Sequence, residues 1–337
     1  MTTPYVPTAF ATPVLNPSVG GSGVALPYLS NSMYQFAPTA MDTSSLVPGG
    51  SPAAQAQALA DTINRASRWT DNYCFGADPA AKGASLAATL SVESQMVRAK
   101  NGELRLVCDY KPILEVVGID IGADPANAST VGASVASTVR IGRRTIYVPY
   151  SSGLLFGRSG DSGGQIPTTG VVGGGYYAVW SYVNGYPHTK LTSDVAAGAT
   201  TCQVQATDGN GGLYGVYGGV TQLTIIDGAA TETVTVSAVT AGTSTATLTT
   251  SAFVNAHTVP TEPDFLPVTA IPADVQQAVI SMTTMLIKTR GARALVMPQT
   301  PGGRVDRQAF AQAGALEDWD IATGILARYA VRLKAKN

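Results

Sequence analysis

Helical periodicity sits near the two ends of this 337-residue chain and is missing from the long stretch between them. Leu59, Ile63, Ala66, Thr70 and Tyr73 step by four, three, four and three residues, which places them on one face of a helix over 53–73. Val275, Val279, Met282 and Leu286 repeat the pattern after Pro272, and Ala322, Leu326, Tyr329 and Leu333 repeat it again over 317–333. Amphipathic helices must bury their apolar stripes, so the two ends of the chain are expected to meet. The fold class that follows is α+β: a small helical bundle built from both ends, with associated strands and an inserted β-sandwich or barrel-like module.

The stretch between the helices carries the strand signals. Leu104–Val107 follows Asn101-Gly102, a strong hairpin dipeptide. Ile113–Ile121, Val139–Val148 and the aromatic run Tyr176–Tyr182 are further strands, with a Gly- and Ser-rich loop over 151–175. Residues 191–267 form a β module of their own, with strands at Thr201–Gln205, Gln222–Ile226, Glu232–Val239 and Thr245–Thr249. Turns at Asp208-Gly209, Asp227-Gly228 and Ala241-Gly242 separate them. The expected division is an arm over 1–52, a first core segment over 53–190, the inserted module over 191–267 and C-terminal helices over 268–337.

Eight prolines in the first 52 residues forbid long helices there. Tyr28, Leu29, Tyr34 and Phe36 are too many apolar groups for a free linker, so this arm is expected to lie along another surface, such as a neighbouring subunit. Removing residues 1–50 is then expected to leave a folded protein.

Charged residues are 13% of the chain, about half the usual quarter, and the net charge is −1. The balance is uneven. Residues 191–270 hold six acids and no Lys or Arg, whereas the chain from Lys288 onward holds nine bases against four acids. Arg290, Arg293, Arg304 and Arg307 surround a Pro/Gly loop, and Arg140, Arg143 and Arg144 form a second group. Such groups either contact phosphates or an acidic partner, or remain solvated and ion-paired.

Catalytic motifs are scarce. Gly160-Asp161-Ser162-Gly163-Gly164 is similar to the nucleophile segment of trypsin-like proteases, yet both histidines, His188 and His257, follow Ser162 rather than precede it. A hydrolase using Ser162 with His257 needs a strand-to-helix elbow, and the flanking glycines point to a loop. Cys74, Cys108 and Cys202 have no metal spacing, and no phosphate-binding or dinucleotide fingerprint is present, so neither metal nor cofactor is expected. No signal peptide and no apolar run of about 18 residues appears, so the expectation is assembly in the cytoplasm with no membrane partner.

Tyr28-Leu29, Pro38-Thr39-Ala40, Asp42 and Leu46-Val47-Pro48 lead into Leu59, Ala60, Ile63, Ala66, Ser67, Asp71 and Tyr73. This succession resembles the start of the head-to-tail connector (adaptor) proteins of long-tailed, siphovirus-like bacteriophages. Pro272-Ala273-Asp274-Val275, Arg290-Gly291-Ala292, Gly314 and Asp320-Ile321-Ala322 resemble their final helices. Gly198, Val204, Leu223-Thr224-Ile225, Glu232–Val236 and His257 resemble β insertions seen in such connectors. The resemblance implies a non-enzymatic virion protein, a homo-oligomeric ring (a dodecamer) at the head–tail junction. Its implied partners are the portal protein, a neck or tail completion protein, and double-stranded DNA passing without sequence recognition. A tail or decoration protein whose β module binds a cell-surface glycan is the alternative, and a Ser162 hydrolase the second.

Overall fold

The computed structural model describes residues 4–5, 10, 26–39, 41–76, 85–122, 124–132, 136–149, 175–289 and 316–330. The chain divides into two units: Met1–Gly21 with Ala87–Tyr186, and Ser22–Leu86 with Pro187–Asn337. Both are mixed from distant parts of the sequence, and together they give the expected α+β class.

The first unit is a curled antiparallel sheet. Its strands are β1 (Thr89–Lys100), β2 (Glu103–Val107), β3 (Ile113–Gly122), β4 (Ser129–Thr130), β5 (Arg140–Ile141), β6 (Thr145–Pro149) and β7 (Gly175–Asn184). Their order is β4-β3-β7-β1-β2-β6-β5. Asn101 and Gly102 take φ of +54° and +74°, so the β1–β2 hairpin closes through the two-residue turn that the dipeptide favours. The aromatic strand β7 is central and pairs with β1 from Thr89↔Asn184 to Arg98↔Gly175. Its Tyr176, Trp180 and Tyr182 are buried, with Leu104, Leu106, Ile146, Val148, Val116 and Ile119 from the neighbouring strands. The expected single strand Val139–Val148 is two strands. Gly142 donates its amide to the Thr145 carbonyl at 2.8 Å and turns the chain back on itself.

The second unit joins helices to a second curled sheet. Its helices are α1 (Asn31–Phe36), α2 (Pro52–Phe75), α3 (Ala273–Lys288) and α4 (Leu316–Leu326). Its strands are β8 (His188–Lys190), β9 (Thr201–Gln205), β10 (Gln222–Ile225), β11 (Glu232–Ala241), β12 (Thr245–Thr250) and β13 (Pro267–Thr269), ordered β8-β13-β10-β11-β12-β9. Just past β8, Thr192 donates to the Gln203 carbonyl at 3.0 Å and Leu191 bridges Val204, which brings the two ends of the sheet together. The enclosed core includes Val204, Leu223, Ile225, Val234, Val236, Leu248, Phe253 and Val268.

Local chemistry sets the helix ends. Ser51 caps α2 by accepting the Ala54 amide, Pro52 occupies the first turn, and Gly76 at φ +92° ends it. In α3, Asp274 stands in the first turn and Lys288 in the last, each favourable to the helix dipole. Threonines within these helices are made compatible by donating back to the carbonyl four residues earlier: Thr62 to Ala58, Thr70 to Ala66, Thr283 to Val279 and Thr284 to Ile280. Buried polar positions can therefore face the core. Trp69 and Trp319 meet with ring centroids 5.0 Å apart, and Tyr329 donates to Asp274 at 2.7 Å. Lys288 pairs with Asp318 at 2.7 Å. The helical bundle is thus assembled from both ends of the chain, as the periodicity requires.

The division by contact differs from the division by composition. The segment 53–190 is shared between the units, because β1 and β7 pair with each other while the helices pack elsewhere. The inserted module is completed by β8 and β13 at its borders, and it shares its unit with the helices.

Gly211 is a tightly enclosed backbone position. Its φ is +85°, and a Cβ there would lie 1.6 Å from the Gly242 carbonyl oxygen. Gly211→Ala is therefore expected to destabilise the second unit by about 2 kcal/mol or more, read as a lowered urea midpoint with an unchanged slope.

Candidate functional site

The Pro-rich lead enters the second unit as a strap. Ser30 caps the short helix α1 by accepting the Met33 amide, and the Asn31 amide donates to Asp264 at 2.9 Å. Tyr28 donates its amide to Ser67 on α2 at 3.0 Å. Its hydroxyl donates to Asp71 at 2.5 Å and lies 2.8 Å from Ser85. Tyr34 reaches Thr284 on α3 at 3.0 Å. His188, the first residue of β8, has one ring nitrogen 3.0 Å from the Pro27 carbonyl and the other 3.0 Å from the Thr269 hydroxyl. A carbonyl only accepts, so Nε2 carries the hydrogen and Nδ1 faces Thr269. The Tyr28 and His188 rings meet edge-on at 5.7 Å.

Of the four arm residues expected to touch a neighbour, the structure thus places three inside their own unit. Tyr28, Leu29 and Tyr34 are buried, while Phe36 is 80% exposed. The reason is the short helix: six residues with a serine cap turn Tyr34 inward and leave Phe36 outward. Removal of residues 1–50 would consequently strip the core, contrary to the expectation from proline density.

Two titrating groups hold the strap. Burial pushes Asp71 up to about 7, against the opposing hydrogen bonds from Tyr28, Leu86 and Ser85. Burial pushes His188 down to about 4, against the Pro27 carbonyl. An acid with a raised folded pKa stabilises most below its unfolded value, so the Asp71 contribution is lost as pH rises from about 4 to about 7. A base with a depressed pKa does the reverse, and the His188 contribution is lost as pH falls from 6.5 to about 4.

A second buried histidine lies at the rim of the module. His257 places Nδ1 2.9 Å from Asp227 and Nε2 2.9 Å from Glu232. Ionised carboxylates only accept, so this arrangement is satisfied when both ring nitrogens carry hydrogen. Burial raises the Glu232 pKa, but the Val254 and Asn255 amides and His257 outweigh it and hold the carboxyl below its ordinary value. Both ring nitrogens of His257 thus face carboxylates of the module itself.

The acids of the module have structural tasks. Asp194 accepts the Val259 amide at 2.7 Å, and Asp208 accepts those of Asn210 and Gly212 at 2.8 Å each. Glu262 pairs with Lys190 at 3.2 Å, and Asp264 holds α1. The acidic bias thus includes loop and cap acceptors, a pattern the composition could not distinguish from a charged face. Asp208-Gly209-Asn210-Gly211 is a turn closed by its own aspartate.

Cys74, Cys108 and Cys202 are buried free thiols, and burial pushes Cys108 well up and Cys202 to about 11. Among the described residues no group of three or more His, Cys, Asp or Glu is placed to hold a metal, and no helix is long and apolar enough to cross a membrane. Arg144 donates to the Cys108 carbonyl at 2.7 Å and faces Asp109 at 3.7 Å, while Arg140 pairs with Glu103. Arg290, Arg293, Arg304, Arg307 and Ser162 lie outside the described residues.

Comparison with protein-family models, with curated proteins and with solved structures returns no match.

Two outcomes follow from this geometry. The stability of Asp71→Asn relative to the unsubstituted protein is expected to rise between pH 5 and pH 8, since only the latter must ionise the enclosed carboxyl; chemical denaturation at the two pH values measures it. His257→Ala leaves two carboxylates facing each other without their shared partner, and is expected to cost about 3 kcal/mol in the same measurement at pH 7.

Proposed function

We propose that this chain is a non-enzymatic structural subunit of a phage head–tail junction, a connector that works as a homo-oligomeric ring in the virion. The portal protein, a neck or tail completion protein and passing double-stranded DNA are its partners in this reading. The observation that carries it is the helical bundle made from both ends of the chain. Segments 28–73 and 272–329, whose residues resemble the start and the end of a connector, belong to one unit in which α2, α3 and α4 pack together. The β module, whose residues resemble connector insertions, belongs to that unit too.

The placement of reactive side chains supports the reading. Both histidines have both ring nitrogens hydrogen-bonded, and the three thiols are buried, with burial pushing those of Cys108 and Cys202 up. What the described surface offers is contact area, of which Phe36 is a prominent apolar element.

Sedimentation velocity of the full chain, alone and with its portal protein, tests this. A closed oligomer, or a stoichiometric complex with portal, is expected; a monomer under both conditions contradicts the proposal. Phe36→Asp should keep the melting temperature and weaken assembly by tenfold or more in Kd, because an exposed aromatic at an interface carries a large share of its energy.

A further inference from the structure

Strand alternation gives the first unit a buried and an outward face. Lys100 stands opposite Glu103, Glu103 opposite Pro149, Arg105 opposite Tyr147, and Tyr147 opposite Arg140. These side chains therefore share the outward face, and Met96 and Arg98 join them from β1 by the two-residue period. Among the described residues this face of β1, β2, β5 and β6 holds four cations, Arg98, Lys100, Arg105 and Arg140, and one carboxylate, Glu103. Glu103 is matched by Arg140, whose side chain is nevertheless 67% exposed. Apolar groups are few: Met96 is 57% exposed and Val107 44%.

Two of the cations are held in place. The Arg105 and Arg140 guanidiniums lie 5.8 and 5.5 Å from the centroid of the Tyr147 ring, each from a neighbouring strand. Stacking of this kind restricts the side chains while leaving N–H donors open to an oxyanion. It also occupies the ring, so Tyr147 is not free to stack on an unpaired base.

We propose that this face binds the phosphate backbone of duplex nucleic acid without reading its sequence. Protein interfaces are built round an apolar centre, which this face of Arg98, Lys100, Arg105 and Arg140 lacks. Backbone binding needs clustered Arg and Lys with small opposing charge, which it has. Single strands are gripped through base stacking, and the ring at the centre of this cluster, Tyr147, is already covered by two guanidiniums. The surface stands by itself; the connector reading adds that the duplex would be the DNA crossing the head–tail junction.

The test is fluorescence anisotropy of a labelled random-sequence duplex with the full-length protein, titrated at several salt concentrations. Net neutralisation of about three phosphates gives a slope of log K against log salt near −3, or roughly forty-fold weaker binding between 50 and 200 mM. The double variant Arg105→Glu with Arg140→Glu should weaken binding at least tenfold and flatten the slope. Arg98→Gln with Lys100→Gln, which leaves the tyrosine stack intact, should flatten it by about two, while Arg68→Glu on α2 should change nothing. Melting curves check that the variants fold. No binding at low salt, or binding unaltered by both double variants, overturns the proposal. So does a polyglutamate chain or a single strand of equal length competing as well as duplex, the first indicating an acidic protein partner. Sedimentation of the same variants separates the two readings: oligomer retained with DNA binding lost supports both, and a monomer that still binds DNA overturns the ring alone.

Discussion

Tyr28 donates its hydroxyl to Asp71 while its ring lies edge-on to His188, so one residue of the Pro-rich lead joins helix α2 to the first strand of the second sheet. Much of the second unit is organised round that contact. Pro27 and Thr269 fix the His188 ring from either side, and Thr269 lies in β13, which runs directly into α3. Asp264, just before β13, accepts the amide that opens α1, and Tyr34 at the far turn of that helix reaches α3. Strand, strap and helices are therefore mutually dependent. Removing one hydroxyl would leave an enclosed carboxyl with fewer donors, a deficit costing more than a typical hydrogen bond.

Such a unit uses polar groups internally, which accounts for part of its low charge. Threonine hydroxyls return to helical carbonyls, aspartates cap loops, and two carboxylates flank His257. Among the described residues both histidines and all three cysteines are engaged or buried in this way. The two proposed roles, assembly and contact with a polyanion, both draw on outward groups that these networks leave available, Phe36 in one unit and the stacked arginines in the other.

Helices α2 and α3 were legible because their periodicity coincides with burial, whereas α4 ends at Leu326, short of the expected 333, and the short α1 was not anticipated. Leu59, Ile63, Ala66 and Thr70 are buried in the order their spacing requires, and the Asn101-Gly102 turn and strands β9 to β12 stand close to where their residues place them. Strand β1 was not legible. Its segment Val92–Lys100 mixes Glu, Gln, Met, Arg, Ala and Lys, residues that favour helix, and pairing with the distant strand β7 (Val92↔Ser181 to Arg98↔Gly175) overrides them. That same pairing creates the first unit, so its existence was hidden as well. Strands β8 and β13, three residues each, are too short to show alternation. In the candidate site, Tyr28 and Tyr34 stood out as apolar, but proline density could not say that a capped six-residue helix would turn Tyr34 inward. Nor could charge counting reveal that Arg105 and Arg140 flank one tyrosine, since the three residues come from three strands.

The central claim is that this chain is a ring subunit at a head–tail junction. Electron microscopy of the full-length protein mixed with its portal protein tests it most directly. The account predicts class averages with rotational symmetry and added density beneath the portal. Portal rings without added density, beside free monomers, would contradict it.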